Sequence, residues 1–417
     1  MANQFFWTKL IIVLGLGWCL SQVRRAWRGP RTCPAVPLLK NLPRLPFEGD
    51  LYPLLFLLLT LVGVTEKPVF SIVAWVLVVA LSCIYDYTRL LPWFYQYSFM
   101  LGSLAVCNAG GATPLQQQEA LNICRLVNIS IYFWSGLLKA NRYFMQTGFV
   151  ALVSPLLKNL PQAWRPIFRW LAYAVPFLEA GLGLGLLFPQ YRLLSVLAAV
   201  GMHCFILVCF SSLGRSTHRT IWPWNITMML TTITLFTACD GVGPADIAVG
   251  QGSAYHWLVL VLFALLPTLG LFNRLENIFS HGYMTGRHVF GYLHLTRRLY
   301  DRLPAEIRAE CLDTGLSFGQ RYQLDLGQWY VKQLAMNPPQ NEHMLKFVAR
   351  DFLRYGPVYD DLSLTITGMP GILSASLPQK TYPWAALFPE NRPSSGVRSR
   401  NRKLKISRRS GLLLEGE

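Results

Sequence analysis

The sequence predicts an all-α polytopic integral membrane protein. It has about nine transmembrane helices, a small helical cytoplasmic C-terminal region and a disordered basic tail. Three observations predict this. The chain is 53% hydrophobic and only 14% charged, with a mean hydropathy of +0.33, whereas soluble domains carry about 25% charged residues. Apolar runs near the ~20 residues needed to cross a bilayer recur through the first 275 positions. Arginine and lysine gather in alternate connections between those runs. Residues 1–275 then form the bundle, 276–390 a cytoplasmic set of amphipathic helices and 391–417 the tail.

The first run, Phe5–Val23, has no basic segment before it and is followed by Arg24, Arg25, Arg28 and Arg31. It reads as an anchor whose C-terminal end stays in the cytoplasm, not as a cleavable signal. The further spans are Leu51–Val64, Val69–Tyr85, Phe94–Cys107, Leu121–Leu138, Phe168–Phe188, Tyr191–Ser211, Trp222–Cys239 and Tyr255–Phe272. Phe149–Leu157 is too short to cross and reads as an interfacial or re-entrant piece. Connections rich in basic residues (Arg24–Arg44, Arg89, Lys139–Arg169, Arg215–Arg219) alternate with poor ones (Glu66–Lys67, Glu119, Arg192, Asp240–Asp246). That places the N-terminus outside and the C-terminal part inside.

Beyond Asn273 the pattern changes. Gly282–Leu312 mixes apolar and charged residues as a helix does, with Pro304 opening a new helix. Leu324–Leu334 and Glu342–Tyr355 read as two amphipathic helices separated by the breaker Asn337-Pro338-Pro339. Arg392–Arg409 is rich in Ser and Arg, is expected to be disordered, and suits anionic lipid headgroups. The net charge of +17 is spread over short loops, so no nucleic acid is expected as a partner. Nine scattered cysteines form no CxxC pair and read as small hydrophobes. Among seven histidines, His281, His288 and His294 lack a metal-ligand spacing, and no metal is expected.

Chemistry in such a chain concentrates where ionisable groups interrupt apolar runs. Lys139 ends the run IYFWSGLLKANR, where a membrane segment meets water. It either snorkels to the headgroups or, desolvated, serves as a neutral general base. Glu179 lies mid-run in AVPFLEAGLGLGLLF and must pair, accept hydrogen bonds or stay protonated. The glycines after it, Gly181, Gly183 and Gly185, let another helix approach. His203, in VLAAVGMHCFILVCF, is either a bonded core residue or a titrating group. These three are the candidate catalytic residues. Arg125 and Asn128, three apart and on one face, add polarity to the fifth span, and Arg125 is a candidate counter-ion for Glu179. With Trp224 and Asn225 of the WPWN stretch they are the candidate cofactor-binding residues. Asp86–Tyr95, DYTRLLPWFY, is either an interfacial loop or the cap of a cavity at the membrane surface.

The order of DYTRLLPWFY, IYFWSGLLKANRYF, LEAGLGLGLLF, MHCFIL and WPWNITMM resembles the HTTM (horizontally transferred transmembrane) domain, shared with the membrane part of vitamin K-dependent gamma-carboxylases. The resemblance covers roughly residues 5–275. It implies Lys139 as a base acting on a reduced quinone, with His203 as the family's helix histidine, and a peptide or protein substrate. Where the carboxylases carry two adjacent lysines the first position here is Leu138, and residues 280–417 hold no propeptide-binding domain of comparable size. Two readings follow: a quinone-dependent oxidoreductase or carboxylase-like enzyme, or a non-catalytic membrane scaffold or partner subunit that docks a protein or anionic lipid through its basic cytoplasmic region. A transporter is a third, weakened by the lack of paired broken helices.

Overall fold

In a computed structural model, the chain is described over residues 2–388 except 30, 40–41, 43–48, 66–67, 108–112, 159–160, 212–219, 240, 284, 286–288, 316–318, 335–340, 359 and 369–377. The tail at Arg392–Arg409, the Arg215–Arg219 loop, the Asn337–Pro339 breaker and His288 lie outside the described residues.

The N-terminal two thirds is helical: α1 (Ala2–Gln22), α2 (Tyr52–Val64), α3 (Val69–Tyr85), α4 (Pro92–Val106), α5 (Pro114–Lys139), α6 (Phe149–Lys158), α7 (Arg165–Leu187), α8 (Pro189–Ser211), α9 (Ile221–Thr237), α10 (Pro244–Ala248), α11 (Ala254–Val259) and α12 (Thr268–Leu271). A π-helical stretch, Leu260–Leu265, connects the last two. Each expected run falls on helix, but among the described residues only five segments are long and apolar enough to cross a membrane. These are Asn3–Gln22, Pro114–Lys139, Gln162–Leu187, Pro189–Ser211 and Ala254–Leu271. Nine spans are therefore not borne out. The 13 residues of α2 rise only about 20 Å against a hydrocarbon layer of ~30 Å. The 15-residue α4 is covered by other helices along almost its whole length, and α9 carries Asn225 with a row of threonines.

At the centre stands α5, which is buried nearly throughout. Its start is fixed by a capping box, in which Thr113 accepts from the Gln116 amide while the Gln116 side chain takes the Thr113 amide, with Pro114 in the first turn. Helices α5 and α7 cross at contact distance because glycines face each other's backbone. A Cβ at Gly136 would strike the Ala180 amide, and one at Gly183 would lie 2.7 Å from the Phe133 nitrogen.

The C-terminal region departs from its expected all-helical character. It holds a five-stranded antiparallel sheet of β1 (Phe290–Leu295), β2 (Cys311–Asp313), β3 (Tyr322–Asp325), β4 (Leu362–Thr367) and β5 (Gln379–Tyr382), ordered β2-β3-β1-β4-β5. Between the strands lie α13 (Arg297–Arg302), α14 (Ala305–Arg308), α15 (Leu326–Leu334) and α16 (Glu342–Asp351), and α17 (Trp384–Leu387) follows. The expected helix over Gly282–Leu312 is thus largely wrong, because β1 alternates inside and outside with period two. Gly291, Leu293 and Leu295 point inward, where a Cβ at Gly291 would meet Leu345 of α16 and Leu326 of α15. The helices over Leu326–Leu334 and Glu342–Asp351 match expectation, and Pro304 does precede a short helix. The sheet is pinned to the bundle by the Tyr330 hydroxyl, which donates to the Pro34 carbonyl (2.8 Å), and by Arg354, which donates to that of Thr32 (3.2 Å). Among the described residues no two cysteines form a disulfide. Burial pushes the Cys33 and Cys311 thiols up to about 12, so neither offers a thiolate at neutral pH.

Candidate functional site

Along α5, Arg125, Asn128, Tyr132, Ser135 and Lys139 recur at intervals of three and four, so they share one face of the most enclosed helix. Polar groups in such surroundings require partners. Their partners on the neighbouring helices divide the face into four nodes.

At the C-terminal end, Lys139 is largely buried and paired. Its Nζ donates to Glu179 Oε2 (2.6 Å), Glu179 Oε1 (2.8 Å) and Ser135 Oγ (2.9 Å), and the two charged side chains are 11% and 9% exposed. Glu179 lies within α7, so the pair ties the end of α5 to that helix. An ammonium has three protons, and all three are committed here. Arg125 is not the counter-ion expected for Glu179. Its guanidinium donates to the Leu235 carbonyl (2.9 Å), Asn122 Oδ1 (2.6 Å) and Gln4 Oε1 (3.2 Å), tying α5 to α9 and α1.

Two turns before Lys139, at Tyr132, lies the second node. His203 on α8 faces Tyr132 Oη through Nε2 (2.7 Å) and Asn225 Oδ1 through Nδ1 (2.8 Å). Asn225 spends its Nδ2 on the Ile221 carbonyl (2.7 Å), which orients its oxygen toward the imidazole. Nδ1 must then carry a proton, so in the neutral ring Nε2 holds the lone pair and Tyr132 donates to it. Thr232 Oγ1, 2.9 Å from Tyr132 Oη, completes the chain. This arrangement is that of a general base resting against a hydroxyl.

The third node joins two residues expected to hold a cofactor. Trp224 Nε1 donates to Gln96 Oε1 (3.0 Å), and Gln96 Nε2 donates to Asn128 Oδ1 (3.1 Å). Asn128 Nδ2 is buried without an acceptor among the described residues. Asn225 belongs to the histidine node and Arg125 to its own, so the four residues do not form one pocket. A separate apolar cleft of about 620 Å³ lies between α3, α4 and α11, walled by Val76, Phe94, Phe99 and Leu262. It also carries Tyr95 and Ser98, whose hydroxyls have no hydrogen-bond partner among the described residues.

Sequence reasoning missed Tyr132, Ser135, Gln96 and Thr232. Tyr132 and Ser135 stand seven and four positions before Lys139, so helical spacing alone would have found them. It also missed a pair at the other end of α5, where His256 Nδ1 meets Glu119 Oε1 (3.0 Å) and Nε2 meets the Ile247 carbonyl (3.0 Å). Both ring nitrogens thus face oxygen atoms, and the Glu119 carboxylate also accepts from the Ser253 hydroxyl (2.9 Å) and the Gln251 amide (2.9 Å). Among the described residues no three His, Cys, Asp or Glu side chains converge as metal ligands.

No curated protein and no solved structure matches this chain. A family model does match, over residues 117–221, a stretch that contains Tyr132, Ser135, Lys139, Glu179 and His203. The HTTM family finds no match, so the resemblance to it and to the gamma-carboxylases is overturned. Over those residues, which span α5 to the start of α9, the chain is similar to the methylamine utilisation protein MauE, a membrane family.

Proposed function

We propose that this integral membrane protein is an oxidoreductase that couples proton transfer to a lipid-soluble quinone, with the polar face of α5 and its partners on α7, α8 and α9 handling the protons. The observation that carries this reading is the chain Thr232–Tyr132–His203–Asn225, whose hydrogen bonds leave an imidazole lone pair against a buried hydroxyl. His203 is the proton acceptor, and Asn225 fixes its tautomer. Lys139 and Glu179 act as a fixed ion pair beside it, and the lysine is not the resting base. A quinone supplies two-electron, two-proton redox chemistry when bound. The unpaired Asn128 Nδ2, one turn from Tyr132, fits a carbonyl acceptor of that kind. The cleft between α3, α4 and α11 offers an apolar molecule a docking place. The basic connections support an orientation with the N-terminus outside and the sheet in the cytoplasm.

Native mass spectrometry of the full-length, detergent-purified protein, paired with quinol turnover, tests this. Wild type should retain a quinone. His203→Ala should keep it while turnover falls roughly 10²–10⁴-fold, the range for loss of a general base. Unaltered turnover in His203→Ala, or no quinone and no turnover in wild type, sinks the proposal.

A second reading, a non-catalytic scaffold or partner subunit, has its own support: all protons of Lys139 and both oxygens of Glu179 are satisfied internally, as in a structural pin. Deleting Arg392–Glu417 should then weaken protein or liposome association. Unchanged pull-downs from the truncated protein would remove this reading.

A further inference from the structure

Where α1 and α3 end, the chain closes a cavity of about 500 Å³ between the bundle and the sheet region. Four guanidinium groups line it: Arg28, Arg31, Arg89 and Arg354. The acids on its wall are Asp86 and Asp351, and Asp50 pairs with Arg28 from outside (3.5 Å). Asp86 is already saturated. It accepts from Arg31 (2.6 Å), the Val36 amide (3.3 Å), the Thr88 amide (3.3 Å) and the Thr88 hydroxyl (2.7 Å). Arg89 comes within 3.1 Å of the same carboxylate, yet its Nε makes no hydrogen bond there. Its guanidinium otherwise rests over the Trp27 ring at 5.0 Å. Arg31 and Arg89 are 6% and 13% exposed and share one carboxylate, so a positive charge is left over in a nearly buried place. Such a charge is costly without an anion. Arg28 and Arg354, each about half exposed, stand at the opening.

We infer that this cavity binds a phosphate-bearing anion, and that the anion is the headgroup of an acidic glycerophospholipid. Planar guanidinium groups suit phosphate oxygens. The volume exceeds what a bare phosphate fills and lies in the range of ligand sites. Leu51 at the head of α2 and Leu81 in the last turn of α3 supply an apolar wall level with the ends of the helices. The DYTRLLPWFY loop thus does cap a cavity at the end of the bundle.

The test is native mass spectrometry of the delipidated full-length protein with added phosphatidylglycerol, phosphatidylcholine or inorganic phosphate. Wild type should retain phosphatidylglycerol over phosphatidylcholine, and millimolar phosphate should not displace it. Arg354→Gln, at an exposed position, should lower retention about tenfold, the effect of one charge-assisted contact. Arg89→Gln, checked for an unchanged melting temperature, should do at least the same. Arginine-dependent binding of phosphate that displaces the lipid would overturn the lipid assignment in favour of a soluble phosphate compound. Equal retention of both lipids, or no effect of either substitution, would overturn the site.

Discussion

Lys139 and Glu179 form an ion pair in a setting where either charge alone would be stranded. Removing one partner leaves the other buried and unpaired, a loss of about 3–5 kcal/mol, whereas replacing both with apolar residues is far less disruptive. Lys139→Met should therefore lower the melting temperature in detergent much more than the double change Lys139→Met with Glu179→Leu. Equal melting of the two would mean that the charges do not support each other. Tyr132→Phe removes the hydroxyl from His203 without emptying its volume. It should leave the fold within about 1–3 kcal/mol of wild type, while quinol turnover drops. Residues of this site were legible in the sequence in proportion to their charge. Lys139, Glu179 and His203 stand out in apolar runs because an ionisable group there needs a reason. Tyr132, Thr232 and Ser135 do not, since hydroxyls are common in apolar helices and often bond only to their own backbone. The pairing of lysine with glutamate was not legible either. It depends on how α5 packs against α7, which is set by tertiary contacts.

At the scale of elements, the crossing of α5 and α7 depends on two missing side chains. Gly136→Val should force the helices apart and cost at least the 1–3 kcal/mol typical of overpacking, read as lost thermal stability or aggregation on size exclusion. Gly181→Ala is the control. An added Cβ there meets nothing within 4 Å, so melting should be unchanged or slightly raised. A destabilised Gly181→Ala would point to helix flexibility instead of close approach. The glycine run after Glu179 signalled a helix contact, but only geometry separates Gly183, which touches α5, from Gly181, which does not. The strands were harder to see. In Phe290–Leu295 the period-two alternation is only six residues long and runs straight into the charged α13, whose pattern dominates any longer window. The inner strand Leu362–Thr367, between β1 and β5, went unassigned, though Leu362, Leu364 and Ile366 alternate along it and all three are buried.

At the scale of the whole molecule, the membrane character was legible from composition, while the number of spans was not. Hydropathy locates apolar helices but does not say which are enclosed by others. The sheet region also carries a pH dependence of its own. Burial lowers the half-buried His294 below its ordinary 6.5, so its neutral form favours the fold above that pH and the contribution is lost as pH falls through the lowered value. Burial works against the Asp361 carboxylate, but Arg298, Thr296 and the Val358 amide hold it below its usual 3.8. Its stabilisation is therefore present above 3.8 and disappears under more acid conditions. Hydrogen exchange of the sheet in the intact protein should show protection weakening below about pH 6.5 and again below about 3.8. His294→Gln should abolish the first step alone, and a first step that survives would assign it elsewhere.

The bond from Tyr330 to the Pro34 carbonyl joins residues 296 positions apart, and so sets an order of events during synthesis. The segment after α1 leaves the ribosome early but acquires its last partners only when α15 and the Arg354 turn after α16 have been made. Until then the Arg31–Thr32 bond lacks the cover that the sheet region gives it, and is open there to proteases that the finished protein excludes. A chain ending at Phe272 should be cut by trypsin after Arg31 under conditions that spare the full-length protein. Equal resistance would show that the bundle closes this segment without help from the sheet.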